Sequence, residues 1–371
     1  MATYYVRTPA NGGNDGNAGT STSTAWASFT KVFSASGFTT GDTVYVEPGV
    51  YREVVTAVNT SPTTRAYVIG DYNGAIFGTV GEVRWTSHTT DDDTAGSTTT
   101  LLNINGRDNI TIRGIRFEAC GRALDVGAGS TFIDIEDCVI VAQGNGGIAF
   151  TSGNTVALNC NLRRCIVHGI SDAVLITPNT TSGNLVVNMN IENCVITARL
   201  NRAINFSNSG GANTASGCTV KNCTITGPTG ITSTGARYST AGGIEVLNCL
   251  LYLCSSGVAA GTSGQIVMTN TRTAMCTTPT TLIATNTNGS NGNASIDQGA
   301  SFLYDLTPRR PWYMPYITGI IAGDGTATGA PTDDIHNTTR PNPPAVGASE
   351  ITTLYTTGGS VVANPLAGYV R

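Results

Sequence analysis

The sequence predicts an all-β solenoid, a right-handed parallel β-helix, on three observations. The segment "MNIENCVI" at Met189–Ile196 returns as "CTVKNCTI" at Cys218–Ile225, and related copies begin at Ile133, Cys160 and Ile244. Cysteine-free forms begin at Ile110 ("ITIRGIRF") and Ile266 ("IVMTNTRT"). Within a copy, apolar and polar residues alternate, as Ile133 and Ile135 do with Asp134 and Glu136, which is the period of a strand with one buried face. Between copies lie turn-rich stretches such as "AQGNGG" and "SNSGGANTASG". One aligned column runs Ile115, Cys138, Cys165, Cys194, Cys223, Cys249 and Thr271, in steps of 22 to 29 residues. A recurring step of that size marks stacked coils, and without an L-x-x-L-x-L frame it favours a β-helix over a leucine-rich repeat.

The elements follow in order. Residues 1–41 read as an N-terminal cap made of a strand in "TYYVRT", a loop, and a short amphipathic helix in "AWASFTKVFSAS". Trp26, Phe29 and Phe33 lie on one face of that helix, ready to cover the open end of the solenoid. Residues 42–300 are the parallel β-helix, whose first coil is "GDTVYVEPGVYREVV" with a turn at Pro48-Gly49. Residues 87–100 form a polar loop that leaves the coil. Residues 301–371 break the repeat and read as a C-terminal cap or contact segment.

The cysteine column, Cys138, Cys165, Cys194, Cys223 and Cys249, is read as core packing, because cysteine behaves as a small hydrophobe. In-register neighbours point the same way, which is poor disulfide geometry, so free thiols are expected. The residues just before the column include Asn193, Asn222, Asn248 and Asn270. They suggest an amide ladder at a bend, each side chain bonding those above and below.

Of the 371 residues 45 are glycine, only 12% are charged and 7% aromatic, and the net charge is −4. Neither that balance nor any basic cluster points to nucleic acid, and no apolar stretch is long enough to span a membrane. The start "MATYYVRTPANGG" has neither the basic nor the apolar segment of a secretion signal, so synthesis in a reducing cytoplasm is expected.

The stretch from "NGGNDGNAG" through "VEPGVYRE" is similar to the N-terminal cap and first coil of the pectate-lyase-like right-handed β-helix family. The segment "DIHNTTRPNPPAVGASE" resembles a common ending in that group, D-I-x-G-x-x-R-P followed by D-I-G-A-x-E, with Asn337 in the glycine position and Ala345-Val346 in place of Asp-Ile. The resemblance implies fold and capping. Its members include polysaccharide lyases and hydrolases, phage tailspikes and non-enzymatic virion proteins, so it leaves the chemistry open.

The densest acidic cluster is Asp134, Glu136 and Asp137, near Glu118 and Asp125. Two residues before the column, however, the chain reads Arg113, Glu136, Arg163, Glu192 and Lys221, alternating in sign. That arrangement predicts a structural charge ladder, whereas a catalytic acid pair needs two carboxyls facing each other. His168 in "VHGISDAV" lies near Asp172 in sequence and reads as a solvated turn histidine, and Asp91–Asp93 read as a flexible loop tip. No catalytic, cofactor or metal residues are assigned.

The expectation is a non-enzymatic structural protein of a bacteriophage virion, most of all a capsid decoration protein. It would contact other virion proteins, form a homo-oligomer such as a trimer, need no cofactor and bind no nucleic acid or membrane. Trp312, Tyr313, Tyr316, Arg309 and Arg310 are the candidate partner contacts, since aromatic residues and arginine are enriched at interfaces. The alternative is a tail spike or a carbohydrate-active β-helix protein that meets a glycan. Aromatic platforms should then line an outer face, where Tyr238 and Tyr252 are the candidates outside the terminal segments.

Overall fold

The computed structural model describes residues 1–89, most of 99–281, the short strands Ala294–Ile296, Leu303–Tyr304 and Gly319–Ile320, and most of 325–348. Loops at 153–157, 179–186, 208–216, 235–242 and 261–265, and a few single positions, fall outside that description, as do the remaining segments after residue 281. Each coil contributes one strand to each of three parallel sheets of ten, ten and nine strands. The first sheet runs from Thr3–Val6 and Thr43–Val46 to Ile266–Thr269, the second from Gly49–Arg52 to Ala294–Ile296, and the third from Val55–Thr56 to Thr278–Thr281. This is a right-handed parallel β-helix.

Alternation builds the interior. On the second sheet Tyr51, Trp85, Phe117, Ile140, Val167, Ile196, Ile225 and Leu251 stack inward and are buried. Aromatic residues fill the N-terminal end, where Phe29 stacks on Trp85 at 3.9 Å between ring centroids. The cysteine column lies at the corner between the first and second sheets, buried and unoxidised. Each Sγ also donates to the carbonyl two residues back, as in Cys194 to Glu192 at 3.2 Å. Thr271 continues the column with the same contact from its hydroxyl, to Thr269 at 3.2 Å.

The residue before the column is held in the left-handed region throughout. The φ values are 69° at Gly114, 52° at Asp137, 51° at Arg164, 55° at Asn193, 49° at Asn222, 51° at Asn248 and 48° at Asn270. Glycine and asparagine accept that conformation most readily, so the Asn-Cys pair is a two-residue corner: asparagine makes the bend and cysteine seals it from inside.

Three expectations are corrected. The helix is a single turn, Phe29–Val32, with its N-terminal amides bonded by Glu53. Trp26 precedes it and bridges Val6. The strand at Thr3–Val6 is the first rung of the first sheet and pairs with Thr43–Val46. Its outer edge is closed by the following loop, through Tyr5 N–H to the Gly19 carbonyl and Trp26 N–H to the Tyr5 carbonyl, each 2.8 Å. In the amide ladder Asn248 bonds Asn222 at 3.4 Å, but Asn193 and Asn248 also turn to a different partner. The reason is that a third element uses these amides.

That element is residues 325–348, a strap along the corner of several coils. Asn248 exchanges a reciprocal pair of hydrogen bonds with the backbone of Thr326, 2.8 and 2.9 Å. Asn193 donates to the Asp333 carbonyl at 2.7 Å and accepts from Arg340 at 2.8 Å. Ile335 and Ala348 bury against Val195 and Ile166. The strap turns at Asp334, whose Oδ1 accepts from His336 N–H (2.9 Å) and Thr338 N–H (2.7 Å), with Asn337 at φ 60°. Asparagine accepts a left-handed backbone next best after glycine, which suits Asn337 to this turn.

Candidate functional site

The outward residues of the first sheet carry the charge ladder. Glu136 is in register with both Arg113 and Arg163, Glu192 with Arg163 and Lys221. The side chains pair less regularly than the register. Arg163 lies 3.9 Å from Glu136 and 3.4 Å from Glu192, but Arg113 bonds Asp137 at 2.7 Å and Lys221 turns to Glu245 at 3.8 Å. Asp137 draws Arg113 because it is itself buried and must be paired. Arg164 completes that pair through Nε to Asp137 Oδ1 at 2.8 Å, and reaches Glu136 at 3.4 Å and Asp333 of the strap at 3.0 Å. Those neighbouring acids hold the Arg164 guanidinium above its ordinary range against the opposing effect of burial.

The cluster of Asp134, Glu136, Asp137, Glu118 and Asp125 does not come together as one acid site. Asp134 accepts from Asn161 at 2.7 Å on the first sheet and pairs with Arg65, while Asp125 meets Arg122 on the third. An amide ladder does exist on this first sheet, through Asn161–Asn190 and Asn159–Asn188 at 2.9 and 2.7 Å. The repeat pattern had pointed to the corner instead.

A different arrangement occupies the N-terminal part of the second sheet. Arg84 and Arg116 are in direct register on adjacent strands and both face outward. Glu118 lies between their guanidiniums, accepting from Arg84 Nε at 2.6 Å and Arg116 Nε at 2.5 Å. Arg116 also reaches Glu82 at 3.5 Å. Burial pushes the Glu82 carboxyl above its ordinary value, and Glu118 adds to this while Arg116 and Arg84 oppose it. A β-bulge follows at once: the register shifts against Val141–Ala142, and Ala119 takes φ 49°. A bulge re-aims neighbouring side chains, and Ala119 before buried Cys120 repeats as Leu253 before buried Cys254, a second left-handed corner of the coil. Beside the cluster is a shallow dent lined by Glu82, Val83, Gly114, Ile115, Arg116, Asp137 and Val139, with room for about one water.

Chemically, two stacked guanidiniums form a fork for a carboxylate. Glu82 stands beside them, paired with Arg116 at 3.5 Å. Among the described residues no three His, Cys, Asp or Glu side chains converge as a metal site.

The same outer column continues along the sheet. Arg52, Thr86, Glu118, Val141, His168, Thr197, Thr226 and Tyr252 are in register from strand to strand. His168 is therefore on a strand, Ile166–Gly169, and not in a turn. Burial holds its pKa below the ordinary value, with the charge of Arg199 adding to the effect. Asp172 is bound elsewhere, by Arg202 at 2.9 Å and Asn205 at 2.8 Å on the third sheet. Tyr252 is half-exposed on this face, while outward tyrosines at Tyr5, Tyr45 and Tyr67 stand on the first sheet. Asp91–Asp93, Tyr238, Trp312, Tyr313, Tyr316, Arg309 and Arg310 lie outside the described residues.

Three long parallel sheets joined by a left-handed corner define a pectate-lyase-like right-handed parallel β-helix fold. Solved structures agree. The pectate lyase Pel9A superposes over 96% of this chain and 90% of its own with a TM-score of 0.50 at 13% identity. A glycoside hydrolase covers 80% of this chain and 96% of its own with a TM-score of 0.51 at 9% identity. At such identities the likeness is one of fold. No protein-family model matches the sequence, and no curated protein does.

Proposed function

We propose that this protein is a carbohydrate-active β-helix protein acting on an acidic polysaccharide. The observation that carries the reading is the in-register pair Arg84 and Arg116, held over Glu118 beside Glu82. Glu118 already offsets the repulsion of the stacked guanidiniums, and a sugar carboxylate would share their N–H donors with it. In this reading a sugar carboxylate docks at the guanidiniums, Glu82 gives its proton to the leaving oxygen, and a water adds to the anomeric carbon as the glycosidic bond breaks, releasing its proton to solvent, from which Glu82 is reprotonated. The pectate lyase Pel9A, which shares the fold, supports an acidic polysaccharide as the substrate class.

The test is incubation with uronate-rich and neutral polysaccharides, followed by analysis of released oligosaccharides. Product is expected from the uronate polymer alone, with Glu82→Gln lowering kcat by about 100-fold or more. Equal turnover by Glu82→Gln, or no product from any acidic polymer, would count against it.

A second reading, a structural virion protein, is favoured by one observation. Among the ladder acids, Glu136 and Glu192 pair with arginine, and so does the neighbouring Asp137, which uses charge for rigidity. Stoichiometric incorporation into particles by a chain without lytic activity would support that alternative, including its expected homo-oligomer and virion partners.

A further inference from the structure

We infer that Arg164 is a positioning residue for the second-sheet site: by occupying the Asp137 carboxylate, it keeps that buried charge from competing with an anionic ligand for Arg116. The proposal rests on the reading that the arginine pair receives a sugar carboxylate, and adds a residue outside the pair on which that binding depends.

The argument begins with a residue that its own backbone disfavours. Arg164 is held at φ 51° in a corner position that four later coils give to asparagine. Asparagine adopts that conformation readily and arginine does not. The corner itself therefore gives no reason for an arginine, and the reason lies in where the side chain goes.

It goes to Asp137, the buried corner residue of the preceding coil. Arg164 Nε donates to Asp137 Oδ1 at 2.8 Å and its Nη2 to Oδ2 at 3.1 Å, while Arg113 Nε donates to Oδ2 at 2.7 Å. Glu136 and Asp333 of the strap lie 3.4 and 3.0 Å from the same guanidinium. Burial works against the Arg164 charge, and Asp137, Asp333 and Glu136 outweigh it. Both oxygens of Asp137 thus face a fixed cation.

Asp137 also lines the dent that Arg116 and Glu82 line. A buried carboxylate deprived of Arg164 needs another cation, and Arg116 stands across the dent from it. Arg116 already serves Glu118 and Glu82. With Asp137 added, a ligand carboxylate would meet fewer free N–H donors and a repelling charge. Arg164 prevents this from behind the site, with its side chain only 6% exposed.

The test measures the affinity of the full chain for an oligogalacturonate of fixed length by calorimetry, with each variant held well below its own melting temperature. The intact chain should bind. Arg164→Ala should weaken binding by about tenfold or more. Arg164→Lys restores the charge without the paired hydrogen bonds, and should stay within about threefold of the intact chain. Combining Arg164→Ala with Asp137→Asn removes the competing carboxylate and should recover most of the lost affinity. The double variant also lacks the unpaired buried charge, so it decides the matter even where Arg164→Ala alone does not fold. A double variant that binds no better than Arg164→Ala, or not at all, would overturn the proposal and leave Arg164 a structural residue. So would undiminished binding by Arg164→Ala. In both cases the acidic-polysaccharide reading stands, because the intact chain binds. No binding by the intact chain would overturn that reading and this proposal together.

Discussion

The first and second sheets use the same two side chains, arginine and glutamate, to opposite ends. On the first, signs alternate strand by strand, so Glu136 and Glu192 each face a cation in register, and the charges settle one another. On the second, Arg84 and Arg116 face each other and need Glu118 between them. A balanced ladder stiffens a surface. A like-charged pair costs stability unless something anionic uses it.

The largest effect expected on this comparison lies where the ladder meets the strap. Arg164→Ala would take the buried cation from Asp137 and remove its ion pair with Asp333 of the strap. A loss of about 3–5 kcal/mol in urea unfolding is expected, with earlier proteolysis within residues 325–348. A loss below about 1 kcal/mol, the range of an exposed pair, would mean that ladder and strap are not coupled. Arg116→Gln should separate stability from function: relief of repulsion keeps the folding change within about 1 kcal/mol, while binding of an acidic polysaccharide is lost. If stability falls as far as it does for Arg164→Ala, the second-sheet cluster is a structural ladder after all. Glu136→Gln should cost at most about 1 kcal/mol, diminishing with added salt, and should leave activity unchanged.

The smallest effect is on pH dependence. Because burial raises the folded-state pKa of Glu82, the folded chain binds that proton more tightly than the unfolded one. Its contribution is present below the ordinary carboxylate range and fades as pH rises through the raised value. His168 has the opposite sense. Its lowered pKa means that the unfolded chain takes the proton first, so stability falls as pH drops below about 6.5, the ordinary histidine value. Thermal melts across pH should therefore lose a decline with rising pH that starts at the ordinary carboxylate value in Glu82→Gln, and a decline with falling pH below about 6.5 in His168→Asn. Unchanged slopes would mean that these groups titrate as they do in the unfolded chain.

The Asn-Cys pair shows how much of the fold was legible. A corner residue that must adopt positive φ and a side chain that must fill the inner angle recur in the seven coils from Gly114-Ile115 to Asn270-Thr271, so both appear as a column in the sequence. From that column follow the inward cysteines and the register of Arg113, Glu136, Arg163, Glu192 and Lys221. The candidate site escaped it. Arg84 belongs to a coil with an inserted loop and no cysteine, and Glu118 sits before a bulge that shifts the register at Ala119.

What the sequence determined by itself is the periodic part, because a strand's alternation and a corner's dihedral are local properties that repetition amplifies. What only the tertiary structure decided is the pairing between distant segments. Asp333 meets Arg164 and Arg340 meets Asn193 across well over a hundred residues. Asn193 and Asn248, which repetition alone would only stack on their neighbours, are bonded also to a strap whose backbone groups needed partners.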